Sequence, residues 1–352
     1  MNPLRRGLLG GAALAALAAF TPRAARAAPR TITDSAGRRV AVPERVTRVF
    51  PAGPPASILA FALAPDTLIG WTSAFRPAER PFVPERYADL PVLGRLTGRG
   101  STASLETVLA LKPDLVFDYG TVNSTYTSLA DRVQQQTGIP YLLIDGAFDR
   151  IDDAFVLLGE IIGRRQEAAE WARYATTTLA EMDARVGRIP ASRRPRVYYA
   201  RGPRGLDTAM VGSINGETLE RLGARNVAAE LGQGGLTQVS IEQVLRWNPE
   251  VIVTIDPNFF SAVWRDPLWQ GVAAVRDGRV HLAPGVPFGW IDFPPSINRL
   301  IGLRWLARAL YPEAFPEDLR PAVREFFTRA YHRTPTDAQV DALLATAERR
   351  RP

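Results

Sequence analysis

The chain of 352 residues is 46% hydrophobic and 22% charged, with a formal charge of +7. That balance buries a sizeable core, and it excludes both wholesale disorder and an all-membrane protein. There is no cysteine, and His281 and His332 are the only histidines. Thiol catalysis, disulfides, cysteine-ligated zinc and a lipid-modified N-terminal cysteine are thereby excluded.

The first residues read as an export signal. Arg5-Arg6 precedes the apolar run Gly7–Phe20, and Ala25-Arg26-Ala27 supplies the small residues of a cleavage site. Fourteen apolar residues are too few for a membrane-spanning helix. The paired arginines resemble a twin-arginine signal, although an arginine-rich general secretory signal has the same outline. Cleavage after Ala27 removes four arginines and leaves about +3, too little charge to argue for a nucleic-acid partner. A soluble periplasmic protein without a lipid anchor is expected.

Ile32–Val42 alternates around Ser35-Ala36-Gly37, as in a small hairpin. Val46–Phe50 reads as a strand, followed by Pro51-Ala52-Gly53-Pro54-Pro55 and an apolar helix from Ser57 to Leu63. Strands at Leu68–Trp71, Leu115–Tyr119 and Tyr141–Ile144 alternate with helices at Leu105–Leu111 and Thr127–Thr137. Short apolar strands between amphipathic helices predict βαβ units and parallel pairing. From Ile151 to Val186 apolar residues recur at helical spacing with no proline, which predicts one helix of about 50 Å joining two lobes. The alternation resumes with strands at Val197–Ala200, Val251–Ile255 and Val280–Leu282 and helices at Gly216–Leu222 and Ile241–Arg246. Ser296 is the expected N-cap of a helix from Ile297 to Leu310, and Thr336-Asp337-Ala338-Gln339 has capping-box spacing. The fold class is α/β, with two lobes of mainly parallel central sheets joined by one long rigid helix. The expected divisions are a signal at 1–27, a first lobe at 31–150, an interlobe helix at 151–189, and a second lobe with C-terminal helices at 190–352.

The two halves share a pattern. Ser104-Leu105-Glu106-Thr107-Val108-Leu109 through Lys112-Pro113-Asp114-Leu115 aligns with Ser240-Ile241-Glu242-Gln243-Val244-Leu245 through Asn248-Pro249-Glu250-Val251. In each, serine caps a two-turn helix, glutamate sits in its positively polarised first turn, and proline separates helix from strand. Two lobes of one design account for the match.

With this pair, the opening Asp34-Ser-Ala-Gly-Arg-Arg-Val-Ala-Val-Pro43 and the block Gly212-Ser213 through Asn226-Val227-Ala228, the chain resembles the periplasmic substrate-binding proteins of ABC importers for iron–siderophore complexes, haem and vitamin B12. The resemblance runs from about Thr33 to Tyr311. It implies two α/β lobes, a ligand cleft between them, no chemical turnover, and a monomer that docks on an ABC permease dimer at the inner membrane. It also implies that Glu106 and Glu242, one per lobe, pair with permease arginines. The segment Pro287–Pro295 and the tail beyond Tyr311 depart from general family features and leave the ligand open.

Ligands of parallel α/β sheets sit beyond the carboxyl ends of the strands. On that rule Arg99 and Arg201 are candidate anion partners, while Trp71, Tyr119 and Trp290 are candidate apolar walls, a combination suited to a bulky, negatively charged organic chelate. An iron–siderophore is the leading cargo. Haem, cobalamin and a molybdate- or tungstate-type oxyanion are alternatives, the last because Pro294-Pro295-Ser296 precedes a helix N-terminus. No resident cofactor, metal site or catalytic residue is expected: Tyr198 and Tyr199 are neighbours in one strand and point to opposite faces, unlike joint ligands of bare iron. Enzyme motifs such as Gly-x-Ser-x-Gly and the phosphate-binding loop are missing. An exported hydrolase is the contrasting class.

Overall fold

A computed structural model describes residues 29–98 and 100–348. The expected signal segment and Arg99 lie outside these residues. The chain starts with a hairpin, β1 (Arg30–Thr33) antiparallel to β2 (Arg39–Val42). Its turn is made by Asp34, whose Oδ1 accepts from the Ala36 and Arg38 amides; Oδ2 takes the Leu143 amide at 3.1 Å and ties the hairpin to the first lobe.

That lobe is built on the parallel sheet β3-β4-β5, comprising β3 (Val49–Pro51), β4 (Leu115–Gly120) and β5 (Tyr141–Asp145). Around it lie α1 (Pro54–Leu63), α2 (Glu85–Ala88), α3 (Leu105–Leu111) and α4 (Ser124–Thr137). The expected strand at Leu68–Trp71 is reduced to single bridges, Leu68 to Val49 and Trp71 to Val92.

The long helix expected from Ile151 to Val186 is instead two, and this corrects the sequence reading. Gly163 adopts φ +74° and ends α5 (Ile151–Ile162) in the left-handed conformation that glycine tolerates; α6 (Arg165–Val186) follows. The Phe155 and Trp171 rings stack at 5.0 Å, and a Cβ on Gly159 would collide with Ala168. Both pairs are centred near residue 163, so α5 folds back along α6 and belongs to the first lobe. The connecting helix is α6 alone, about 33 Å long at 1.5 Å per residue. The Trp171 indole on α6 donates to the Ala62 carbonyl of the first lobe. Further along, Asp183 and Glu181 pair with Arg221 and Arg304 of the second lobe.

The second lobe has a parallel four-stranded sheet in the order β11-β10-β6-β8 and a small antiparallel ribbon β7-β9. Its strands are β6 (Arg196–Ala200), β7 (Asp207–Ala209), β8 (Arg225–Asn226), β9 (Leu236–Gln238), β10 (Val251–Thr254) and β11 (Val280–Leu282). Its helices are α7 (Glu217–Arg221), α8 (Ile241–Trp247), α9 (Pro257–Ala262), α10 (Ala273–Arg276) and α11 (Arg299–Leu310); α12 (Arg320–Tyr331) and α13 (Asp337–Glu348) are the last helices of the described residues. The capping box is present, with Thr336 and Gln339 exchanging side-chain-to-amide hydrogen bonds. The tail was expected to stay with the second lobe, but α12 returns to the first. Phe327 packs on Phe82 at 5.5 Å, and His332 and Arg333 bond to the carbonyls of Phe61 and Val83.

Candidate ligand cleft

The repeated unit is the same in both lobes. Ser104 and Ser240 cap α3 and α8 by accepting the amides of Thr107 and Gln243, and each helix ends on a left-handed residue, Lys112 (φ 46°) or Asn248 (φ 42°). Glu106 and Glu242 are exposed on the first turns, where the serine hydroxyl and the turn's own amide hold each carboxyl below its usual pKa. The strands that follow, β4 and β10, are each paired on both sides in the parallel sheet of their lobe.

Several bonds cross between the lobes beyond the carboxyl ends of β3 and β5. The Ser296 hydroxyl donates to the Pro55 carbonyl at 2.8 Å. It therefore does not cap the following helix, which begins at Arg299 with Asn298 at its N-cap; no helix N-terminus is formed at Pro294-Pro295-Ser296. Arg299 is fully buried in the first turn of α11. Its Nη1 lies 2.6 Å from Glu217 Oε2 and also donates to the Ile214 carbonyl, Nε and Nη2 donate to the carbonyls of Ser296 and Gly146, and its guanidinium covers the Phe148 ring at 4.4 Å. Glu217 in turn accepts the Phe148 amide at 2.8 Å. The Tyr119 hydroxyl is buried without a well-formed hydrogen bond; burial pushes its pKa up to about 12, partly offset by nearby Arg299.

A second charged cluster stands at the end of β6. Tyr198 and Tyr199 point to opposite faces, as expected of strand neighbours: the Tyr198 hydroxyl bonds Gly205, and that of Tyr199 donates to Asp292 Oδ2 at 2.8 Å. The same Oδ2 lies 2.9 Å from Arg201 Nε, an ion pair whose N–H is not aligned for a hydrogen bond. Asp292 Oδ1 accepts from Asn215 Nδ2 at 2.7 Å and from the Phe293 amide at 2.6 Å. Burial by itself would lower the Arg201 pKa, but Asp292 and Tyr199 outweigh it and the guanidinium stays charged. Tyr199 is its other neighbour, with the guanidinium 5.9 Å from that ring's centroid, so a cation paired with Asp292 stands at the strand end.

In the first lobe, Gly53 lies against Thr97 and Asp118 so closely that a Cβ would strike the Thr97 hydroxyl. Asp118 is fully buried there, and desolvation raises its pKa to about 6 despite bonds from Thr97 and the Tyr119 amide. The loop carrying Thr97 and Gly98 is fastened to this point by the Leu96 and Thr97 amides, which both donate to the Ala52 carbonyl.

Of the residues singled out from the sequence, Arg201 follows the end of β6 beside Asp292, and Tyr119 is buried near the end of β4 beside Arg299. Trp71 and Trp290 are both buried. Trp71 packs among Phe61, Phe75 and Phe288 and donates to the Tyr87 carbonyl; Trp290 packs on Phe327. They anchor the Pro287–Pro295 loop to the first lobe and expose no free wall. Arg299 and Glu217 were not singled out. A charge at Arg299, at core spacing beside Ile297, Leu300 and Ile301, was the available signal. Among the described residues no group of three or more His, Asp or Glu is placed to hold a metal ion.

Two parallel sheets, one connecting helix and charged groups beyond the strand ends, with hydrogen bonds across the lobe boundary, form a frame for binding between lobes. The family model for periplasmic binding proteins matches residues 78–287, more than half of the chain. The chain belongs to this family. It is 28% identical over 332 residues to the molybdate-binding protein MolA of Haemophilus influenzae, covering 86% of this chain and 91% of that relative. Its fold is similar to an ABC transporter solute-binding protein from Sulfurospirillum deleyianum, with TM-score 0.81 and 29% identity over 90% of this chain and 99% of the other. The structure of H. influenzae MolA bound to molybdate is also similar, with TM-score 0.73 and 27% identity over 87% and 99% of the two chains. This periplasmic binding protein is thus a solute-binding component of the ABC-importer type, with the two-lobed α/β fold anticipated from its sequence.

Proposed function

We propose that this binding protein captures a small tetrahedral oxyanion of the molybdate or tungstate class between its lobes and presents it to an ABC permease. The observation that carries this reading is Arg201. Its guanidinium is buried at the end of β6, paired through Nε with Asp292 and set beside Tyr199, and among the described residues no carboxylate is paired with its two terminal nitrogens. A planar fork of this kind recognises paired oxygens, and a desolvated setting strengthens the interaction. The likeness to MolA over most of both chains points to the same ligand class.

An iron–siderophore or another large chelate is the weaker reading. The lobes already meet through Ser296–Pro55 and Arg299–Gly146. In addition, the tryptophans proposed as chelate walls are committed to packing. Export through the Arg5-Arg6 segment, action as a monomer in the periplasm, and docking through Glu106 and Glu242 complete the proposal.

The test is titration calorimetry on refolded, ligand-stripped protein with molybdate, tungstate, sulfate, a ferric siderophore, haem and cobalamin. Saturable heat with molybdate or tungstate at one site per chain is expected. Binding of a coloured chelate with no response to either oxyanion would overturn the reading.

A further inference from the structure

Phe293 is the most exposed large apolar side chain among the described residues, at 69%. Its immediate predecessors Trp290, Ile291 and Asp292 are completely buried, so the loop does not expose Phe293 through general looseness. Its backbone holds φ +59°, a left-handed conformation that is costly for an aromatic residue and natural for glycine. Two liabilities therefore coincide at one position: a large ring in water, and a backbone geometry that favours another residue.

The hydrogen bonds show what this position is tied to. Asp292 Oδ1 accepts the Phe293 amide at 2.6 Å, while Oδ2 of the same carboxylate stands 2.9 Å from Arg201 Nε. A single buried carboxylate thus sets both the fork of Arg201 and the backbone that presents the Phe293 ring. Three residues further on, Ser296 bonds the first lobe through Pro55, which keeps this loop at the interlobe boundary.

We propose that Phe293 is an affinity-determining residue of the cleft, covering the oxyanion held by Arg201 and slowing its escape. The inference rests on the oxyanion reading above. The physical gain is exclusion of water: an ion pair weakens severalfold in a high dielectric, and an apolar ring laid beside it lowers the local dielectric. The ring's electropositive edge is also the part of an aromatic group that tolerates an anion. Arg201 would set recognition and association, and Phe293 would act on dissociation.

The experiment compares wild type with Phe293→Gly and Phe293→Leu, measuring molybdate and tungstate affinity by calorimetry, release rate by stopped-flow, and thermal midpoint. Phe293→Gly should release the anion about tenfold faster with an unchanged association rate, while melting at the same temperature or higher because glycine suits the left-handed backbone. Phe293→Leu, which keeps an apolar cover, should stay within about threefold of wild type. A merely structural residue would show the reverse, with altered melting and unaltered release. Wild-type release rates in Phe293→Gly would overturn the covering role and leave the oxyanion reading standing. Wild-type protein that binds neither oxyanion would overturn both.

Discussion

Arg299 Nη1 lies 2.6 Å from Glu217 Oε2, and each partner also reaches a backbone group of the opposite lobe, Gly146 for the arginine and Phe148 for the glutamate. The pair joins α7 and α11 of the second lobe to the segment after β5 of the first. It acts with α6 to fix the spacing of the lobes. Removing one member of a buried pair leaves the other uncompensated, at a cost of about 3–5 kcal/mol.

Glu217→Ala is accordingly expected to lower stability by about 3 kcal/mol, read as a shift of the urea midpoint. The double change Glu217→Leu with Arg299→Met should recover much of the loss, since it removes the fully buried Arg299 charge together with its partly buried partner. A single variant as stable as wild type would show that the pair does not hold the lobes together.

Asp118 gives a pH dependence with a definite sign. Its carboxyl titrates near pH 6 in the folded chain against about 3.8 unfolded. The folded state therefore holds its proton more tightly, and ionisation works against folding. The penalty is absent below about pH 4, grows as pH rises between 4 and 6, and is complete above that, at about 3 kcal/mol by the value of one pKa unit. Asp118→Asn should remove this component, so the stability difference between variant and wild type should shift in the variant's favour from pH 4 to pH 7. A constant difference across that range would place the Asp118 titration elsewhere.

Arg201→Lys preserves the charge opposite Asp292 but loses the planar fork. Oxyanion affinity should fall about tenfold to a hundredfold, the worth of a charge-assisted hydrogen bond at a desolvated site. Calorimetry measures it, and the melting temperature should change little. Undiminished affinity would remove Arg201 from the ligand's contacts.

Glu106 and Glu242 sit at equivalent exposed positions on α3 and α8, one per lobe, and the proposed docking uses them as two negative points toward a two-fold partner. Replacing both with alanine should leave ligand affinity and folding intact while strongly reducing transport in reconstituted permease vesicles. Wild-type uptake by the double variant would reduce their role to complementing two helix dipoles.

What the sequence determined on its own is whatever short-range chemistry decides. The serine caps of α3 and α8, the capping box before α13, the alternation of Tyr198 and Tyr199, and the matching of the two lobes all follow from residues a few positions apart. The family resemblance rests on the same local blocks. Even the break at Gly163 is carried by one glycine, between two stretches whose helical spacing reads as continuous. Only the tertiary structure decided which groups meet across long separations. Nothing in local spacing brings Asp292 to Arg201, Arg299 to Gly146, or Ser296 to Pro55, and nothing local sends α12 back to the first lobe. Such pairings arise because buried charges and donors must find partners wherever the packed lobes place them. A charge at a core position signals that need in the sequence, but the identity of its partner is set by the fold.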